Sequence, residues 1–380
     1  MIYFDNAATT KPFVESLDAF RRAEEEFFPN PSSTHAIGKL SRRFVESQRQ
    51  RIAEILNIDS SYYDIVFTAN ATQGNEIMLQ SVLKRPSSDV LMSLCEHSSV
   101  GENSVILKNH GHNVFQIGCP KGFADGKAMT QKLKDNPKIG LVSVMQINNV
   151  TGSINDVYEM AQRAKRMNGG IVFHSDCVQS LNLGIIDFRR AQKSGIDAMT
   201  FSSHKSHAPK GLGLLVIRKG LDPSLSSGGG QERGVRAGTE SVGLIAAYAD
   251  ALERIFNSHD EYARRISSVS NLFLKLLSEL PSFDALRDGS GEYSDGIVAL
   301  RSHKLPSEVF QRILSDEGVM VSVTSACSSN ASKKNGNKLA LMGYDSKTAG
   351  NTVRFSFGFE NTEGEVESAI CILKKISSEY

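Results

Sequence analysis

Short, wholly apolar runs alternate along this chain with longer stretches in which apolar residues return every three or four positions. That pattern predicts buried strands separated by amphipathic helices. It is clearest in LVSVMQINN, IVFHSDCVQS and MTFSSH. A helix over 155–168, stopped by Gly169 and Gly170, and a helical stretch towards Ser194 separate these three strands. Consecutive β-α-β units of this kind pair most economically in parallel. Further strands are predicted in DIVFTA, DVLMSL, NVFQIG and GLLVIR, with helices at about 13–28, 40–56, 128–135 and 240–256. From about residue 255 the pattern changes to a long helix up to 278, the strand GIVALRS, a helix over 306–317, the strands GVMVSV and TVRFSFG, and a final helix. The predicted division is a large α/β domain over 13–256, with a mainly parallel sheet flanked by helices, and a smaller α+β domain made of 1–12 and 257–380.

Polar residues end the predicted strands: Asn148 and Asn149 after the first of the three, His174, Asp176 and Gln179 after the second, and Ser202, His204 and Lys205 after the third. Core packing would leave such groups in need of partners. Ligands in open α/β sheets lie beyond the carboxyl ends of the strands, so convergence on one pocket explains the clusters better. A lysine held there, its pKa lowered by burial or a nearby cation, is suited to Schiff-base chemistry. Ala71, Thr72 and Gly74 bracket a strand-to-helix turn whose free N–H groups suit a phosphate, although Thr72 also reads as a simple N-cap. Glu96, His97 and Ser98 tip another strand, where an imidazole can stack on a ring or relay protons. The polar loop around Asn30, Ser32, Ser33, Thr34 and His35 is either a connector or a pocket wall. Arg233 and Arg236, in a glycine-dense loop before Thr239, suggest anion contact. No G-x-G-x-x-G follows a strand, which argues against a dinucleotide fold.

Composition narrows the function classes. Forty-three Lys+Arg against forty-two Asp+Glu in 380 residues leave no dedicated basic face for nucleic acid. The start, MIYFDNAATTKP, lacks signal-peptide features, and no run of eighteen apolar residues occurs, so a cytoplasmic protein with no membrane contact is expected. Cys95, Cys119, Cys177, Cys327 and Cys371 are widely spaced and argue against a disulfide framework or a zinc site. His110 and His112 read as part of a turn rather than a metal pair. Cys327 lies near the start of the stretch TSACSSNASKKNGNK, whose composition predicts mobility; it reads either as an inert buried thiol or, with Lys333 and Lys334 close by, as a thiolate.

The segments YFDNAATT, NPSSTH, FTANATQGNE, EHSSV, NNVTG, FHSDCVQS, SSHKSHAPKGLG, GGGQERGVRAGTE, SACSS and VRFSFG span nearly the whole chain. In this order they resemble the cysteine desulfurases among the class V, fold-type I pyridoxal-phosphate enzymes. The resemblance implies a pyridoxal 5'-phosphate cofactor bound as a Schiff base to Lys205, with Asp176 at the pyridinium and Gln179 at the phenolate oxygen. His97 stacks on the ring and serves acid–base steps. Ala71, Thr72, Ser202 and His204 belong to the phosphate site, with Thr239 reaching it from the second subunit of a homodimer. Arg354, assisted by Asn149, grips the substrate carboxylate. The resemblance further implies that Cys327 takes sulfur from L-cysteine as a persulfide, leaving L-alanine, and passes the sulfur to an acceptor such as an iron–sulfur scaffold or tRNA-thiolation protein. A selenocysteine lyase, another class V enzyme, or a weakly active regulator of sulfur transfer are the alternative readings. The chain departs from the family pattern at Gln146 and Val150, where His and Glu are usual, at Ala69 and Asn70, and after Cys327, where a Leu-Glu-Pro segment is replaced.

Overall fold

The computed structural model describes residues 1–85, 87–223, 228–324 and 337–380, so Cys327 and its neighbours lie outside the described residues. The chain opens with strand β1 (Ile2–Tyr3), then helices α1 (Val14–Glu26) and α2 (Ala36–Ile55). Strands β2 (Tyr63–Thr68), β3 (Asp89–Ser93), β4 (Val114–Ile117), β5 (Ile139–Ser143), β6 (Val172–Asp176), β7 (Ala198–Ser202) and β8 (Gly213–Arg218) form one sheet in the order β2-β8-β7-β6-β5-β3-β4. Pairing is parallel from β4 through β7, as the alternating pattern predicts. Only β8 runs against its neighbours. Residues 203–212, which connect it to β7, are too few for a crossover helix, and a parallel partner would require one.

Strands β3, β6 and β7 are buried at every position, the mark of a sheet covered on both faces. Alternating side chains divide the packing: Phe67, Phe173 and Phe201 join the core with Tyr248, while Val66, Leu141 and Val172 pack with Met78 and Leu79 of helix α3 (Ala71–Gln80). The remainder of the chain adds β9 (Phe283–Ala285), β10 (Ile297–Ser302), β11 (Val319–Met320), β12 (Ser322–Val323) and β13 (Thr352–Ser356). Four of these form the antiparallel sheet β12-β13-β10-β9 over a separate core containing Phe4, Phe273, Phe310 and Phe355.

Two strand predictions change. GVMVSV divides at the buried Val321, with β11 pairing β1 in parallel and β12 pairing β13. LVSVMQINN is a strand only as far as Ser143. Beyond it the chain bends back, because Asn148 Oδ1 accepts hydrogen bonds from the N–H groups of Val150 and Thr151 and so builds its own turn. Among the described residues, no helix is long and apolar enough to cross a membrane.

Strand β2 is an edge, and side chains close it. Arg49 of α2 donates to Glu232 through both terminal nitrogens, at 2.8 and 3.0 Å, and to the Ile65 carbonyl at 2.8 Å. Glu232 in turn accepts from the Phe67 N–H at 2.7 Å. Both charged groups are buried, and the pair satisfies the outward-facing strand groups that would otherwise be unpaired. It also holds the positive φ angles of Glu232 and Arg233, 47° and 59°, which non-glycine residues adopt only at a cost. Glu232→Ala leaves the buried Arg49 only the more exposed Glu46 carboxylate, strips the Phe67 N–H of its acceptor, and is expected to lower unfolding free energy by about 3 kcal/mol. Denaturant unfolding checks this, and an unchanged midpoint contradicts it.

Candidate active site

The carboxyl ends of the main-sheet strands open on a cavity of about 350 Å³, within the range of small-molecule sites. Apart from Thr239, every described residue that the family resemblance placed at the site lines it: Ala71, Thr72, His97, Asn149, Asp176, Gln179, Ser202, His204, Lys205 and Arg354. Of the other strand-end groups, Asn148 and His174 do not, the His174 ring bonding Ser143 and Thr200 inside the sheet. A larger groove, about 960 Å³, runs along α2 beside Arg42, Arg43 and Arg189 and contains none of them.

Helix α3 enters this cavity by its N-terminus. Its cap is Asn70, whose side chain accepts from the Gln73 N–H at 2.9 Å, so Thr72 is not the N-cap and its hydroxyl stays at the cavity wall. Gly74 lets the helix approach the sheet, since a Cβ there would stand 2.8 Å from Thr200 Cγ2 of β7. The close approach directs the first N–H groups of α3 and the positive end of its dipole at the space beside Ser202 and His204. Burial, then the charges of Lys205 and Lys210, pull the His204 pKa down to about 4, so its ring is neutral near pH 7. Neutral hydrogen-bonding groups and a helix start make this end of the cavity suited to a phosphate.

Asp176 ends β6 and is buried. Its carboxylate accepts from Asn75 Nδ2 of α3 at 2.9 Å and from the Val178 N–H at 3.0 Å. Asn75 and Ser99 tie it to the next wall: Asn75 Nδ2 also donates to Ser99 Oγ at 2.8 Å, and that hydroxyl lies 2.8 Å from His97 Nδ1. The composition pattern did not single out Asn75 or Ser99, because neither ends a strand. Lys205 sits in the turn after β7 and donates to the Ala7 and Ala8 carbonyls at 2.6 and 2.5 Å. Burial, followed by the charge of Arg354, draws its pKa down to about 8, against the opposing pull of Asp5 and Asp176. Gln179 Nε2 reaches the same Ala7 carbonyl at 3.1 Å.

Arg354 comes from β13, across the cavity from the main sheet, and donates to the Asn149 carbonyl at 2.9 Å and to Asp5 Oδ1 at 2.7 Å. Arg354 Nε and Asn149 Oδ1 are buried without a partner, so the wall still has hydrogen-bonding capacity to offer a ligand.

Other predicted contacts resolve differently. Thr239 is exposed and outside the cavity. Arg233 pairs with Asp64, while Arg236 donates to the Phe67 and Gly238 carbonyls, so neither meets an anion in the cavity. None of Asn30, Ser32, Ser33, Thr34 and His35 lines it: His35 caps α2 and Asn30 closes a local turn. Gln146 is buried, with Nε2 directed at the Tyr158 hydroxyl and Oε1 unpaired. Val150 packs with Cys95, Cys119 and Leu339.

Behind His97, Glu96 accepts from Ser93 Oγ and the Met145 N–H through Oε1, while buried Oε2 has no partner. Burial pushes its pKa up from 4.5 to about 8, so the folded protein holds a neutral acid where the unfolded chain holds a carboxylate. The stability this group contributes is therefore full below pH 4.5 and is lost as pH rises to about 8. Glu96→Gln, which never ionises, is expected to become more stable relative to the parent across that window. Urea midpoints taken along a pH series check it, and parallel curves for the two proteins contradict it.

The aminotransferase class-V family model matches residues 2–368. Over 387 aligned residues the chain is 31% identical to a NifS/IcsS protein homolog of Lactobacillus delbrueckii subsp. bulgaricus, covering 100% of this chain and 98% of the relative. It is 30% identical to cysteine desulfurase IscS of Dictyoglomus turgidum, covering 99% of this chain and 94% of that protein. The X-ray structure of a NifS-like protein from Rickettsia africae superposes with a TM-score of 0.88 at 25% identity, over 100% of this chain and 99% of that one. Its likeness carries the expected fold-type I architecture, and the chain belongs to the class-V aminotransferase family.

Proposed function

We propose that this protein is a pyridoxal-phosphate-dependent cysteine desulfurase, which converts L-cysteine to L-alanine and holds the sulfur as a persulfide on Cys327. The observation that carries the reading is one cavity walled by an amine of lowered pKa, a buried carboxylate, a helix N-terminus and a guanidinium, namely Lys205, Asp176, α3 and Arg354. Full-length relatives named cysteine desulfurase support it. The donor set fits the cofactor: Ala71, Thr72, Ser202 and His204 for the phosphate, Asp176 for the ring nitrogen, Gln179 for the phenolate oxygen, and His97 for the ring face. The unpaired Asn149 Oδ1 and Arg354 Nε in the same wall are consistent with a bound ligand.

Bound there, pyridoxal 5'-phosphate supplies a carbonyl carbon for the amine of Lys205 or substrate and a ring that draws electrons from the substrate α-carbon. Arg354 and Asn149 hold the substrate carboxylate. Lys205 moves the α-proton, and a pKa near 8 leaves a fraction of its amine neutral near physiological pH. Asp176 would offer its carboxylate to the ring nitrogen, and Asn75 and the Val178 N–H fix that carboxylate in place. Cys327, as thiolate, attacks the substrate sulfur; the carbon–sulfur bond breaks as the sulfur–sulfur bond forms, and its electron pair stays with the three-carbon fragment that becomes alanine.

We take 13–256 as the cofactor-binding unit and 1–12 with 257–380 as the smaller unit, a division supported by their separate cores. Thr239, exposed and outside its own cavity, serves the partner's phosphate site in a homodimer. Exposed apolar Phe28, Ile37 and Leu40 support such an interface. The persulfide then passes to an acceptor protein of iron–sulfur assembly or tRNA thiolation. Free cysteines at 95, 119, 177 and 371 suit a reducing, cytoplasmic setting.

Incubation with L-cysteine is expected to yield alanine and a sulfur-sized mass gain on Cys327 that reductant removes as sulfide; no alanine from the cofactor-loaded protein sinks the reading. Lys205→Ala should abolish alanine release and the visible absorbance of the lysine-bound cofactor. Cys327→Ala should keep that absorbance yet lose the mass gain and most alanine release, and undiminished alanine output would refute the role of this thiol.

A further inference from the structure

We propose that Asp5 is a positioning residue for substrate recognition, fixing the Arg354 guanidinium in the cavity wall so that it presents one set of donors to a carboxylate. The inference rests on the reading of Arg354 as the carboxylate-binding residue. Asp5 lies just after β1, and a parallel bridge to Ser356 secures its backbone to β13, the strand that carries Arg354 two residues earlier. Residues two apart on a strand share a face, so the bridge sets the carboxylate beside the guanidinium. Asp5 Oδ1 accepts from Arg354 Nη2 and from Ser322 Oγ, both at 2.7 Å. Ser322 belongs to β12 and pairs with Arg354 on the edge of β13 opposite β10, the same edge that Asp5 joins at Ser356, so its hydroxyl holds the carboxylate from the adjoining strand.

Arg354 has little exposed surface, and its other bond within the chain goes to a neutral acceptor, the Asn149 carbonyl. A buried guanidinium without a carboxylate is costly, and a long side chain with one neutral anchor has several orientations to lose on binding. Asp5 supplies the charge and the second anchor. Two of the nitrogens are thereby engaged within the protein, while Nε has no partner. A planar fork held this way meets a carboxylate with its geometry already set. Asp5 also acts on Lys205, where its charge opposes the lowering effect of Arg354, so the amine does not experience the full force of a second cation nearby. The neighbouring residues Ala7 and Ala8 give their carbonyls to that amine, which places both anchors on one short segment.

Calorimetric titration of the cofactor-loaded protein with L-alanine and with ethylamine, which is alanine without its carboxylate, tests the inference. The wild type is expected to prefer L-alanine. Asp5→Asn, nearly isosteric, should reduce that preference, read as the ratio of the two affinities, about ten- to a hundredfold, the range for losing a charge-assisted hydrogen bond, while the effect of the lost charge on Lys205 is common to both ligands and cancels in the ratio. Ser322→Ala should move the preference in the same direction by a smaller factor, and it carries the test should the Asp5 variant fail to fold. Equal losses for both ligands would mean that Asp5 is only structural, and full preference retained in both variants would overturn its role. A wild type that does not distinguish the two ligands would instead overturn the reading of Arg354 itself.

Discussion

A single side-chain contact, Asn75 of α3 to the buried carboxylate of Asp176, sets the frame for everything around the cavity. It couples the helix that faces the phosphate end to the strand that ends at the carboxylate end. Gly74 brings the helix close enough for the bond to form, because any larger residue would meet Thr200. Asp176 needs such partners, since a carboxylate removed from water is stable only when hydrogen-bonded. Rigid secondary structure rather than loops thus fixes both ends of the candidate site, which is what a precisely spaced cofactor requires.

Charge in the cavity is balanced in pairs. Lys205 and Arg354 supply the cations, Asp176 and Asp5 the anions, and the nearby His204 is neutral because burial depresses its pKa. Glu96 lies behind this layer and is neutral for the opposite reason, burial raising its carboxyl pKa. The consequence is an amine at Lys205 whose pKa is drawn down to about 8, near the working pH, a condition for an efficient proton-transfer residue. Small changes in the surrounding charges would displace that poise, which is why residues that never touch substrate matter here.

Two of the departures from the family pattern, Gln146 and Val150, fall beside the cavity without removing any of its charged groups. Gln146 lies beneath the strand-end layer with one amide oxygen unpaired, and Val150 has become part of an apolar patch with Cys95, Cys119 and Leu339. Polar groups at these positions would have needed partners in a buried setting; Val150 needs none. The chain has therefore kept the groups that act on a substrate while making one part of their supporting wall apolar.

By itself the sequence determined the alternation of strands and helices, the mainly parallel sheet and the location of the polar strand ends, because apolar periodicity acts over short windows and the central strands β3, β6 and β7 are packed on two faces. The family motifs added the identities of Lys205, Asp176, His97 and Arg354. Only the tertiary structure decided which polar groups meet. It gave the helix cap to Asn70 instead of Thr72, committed Arg233 and Arg236 to Asp64 and to backbone carbonyls, turned β8 against its neighbours, and split GVMVSV between two sheets. It also joined Asp5 to Arg354 across 349 positions of sequence. No local pattern encodes such a contact, since its formation depends on how strands far apart in the chain come to lie side by side.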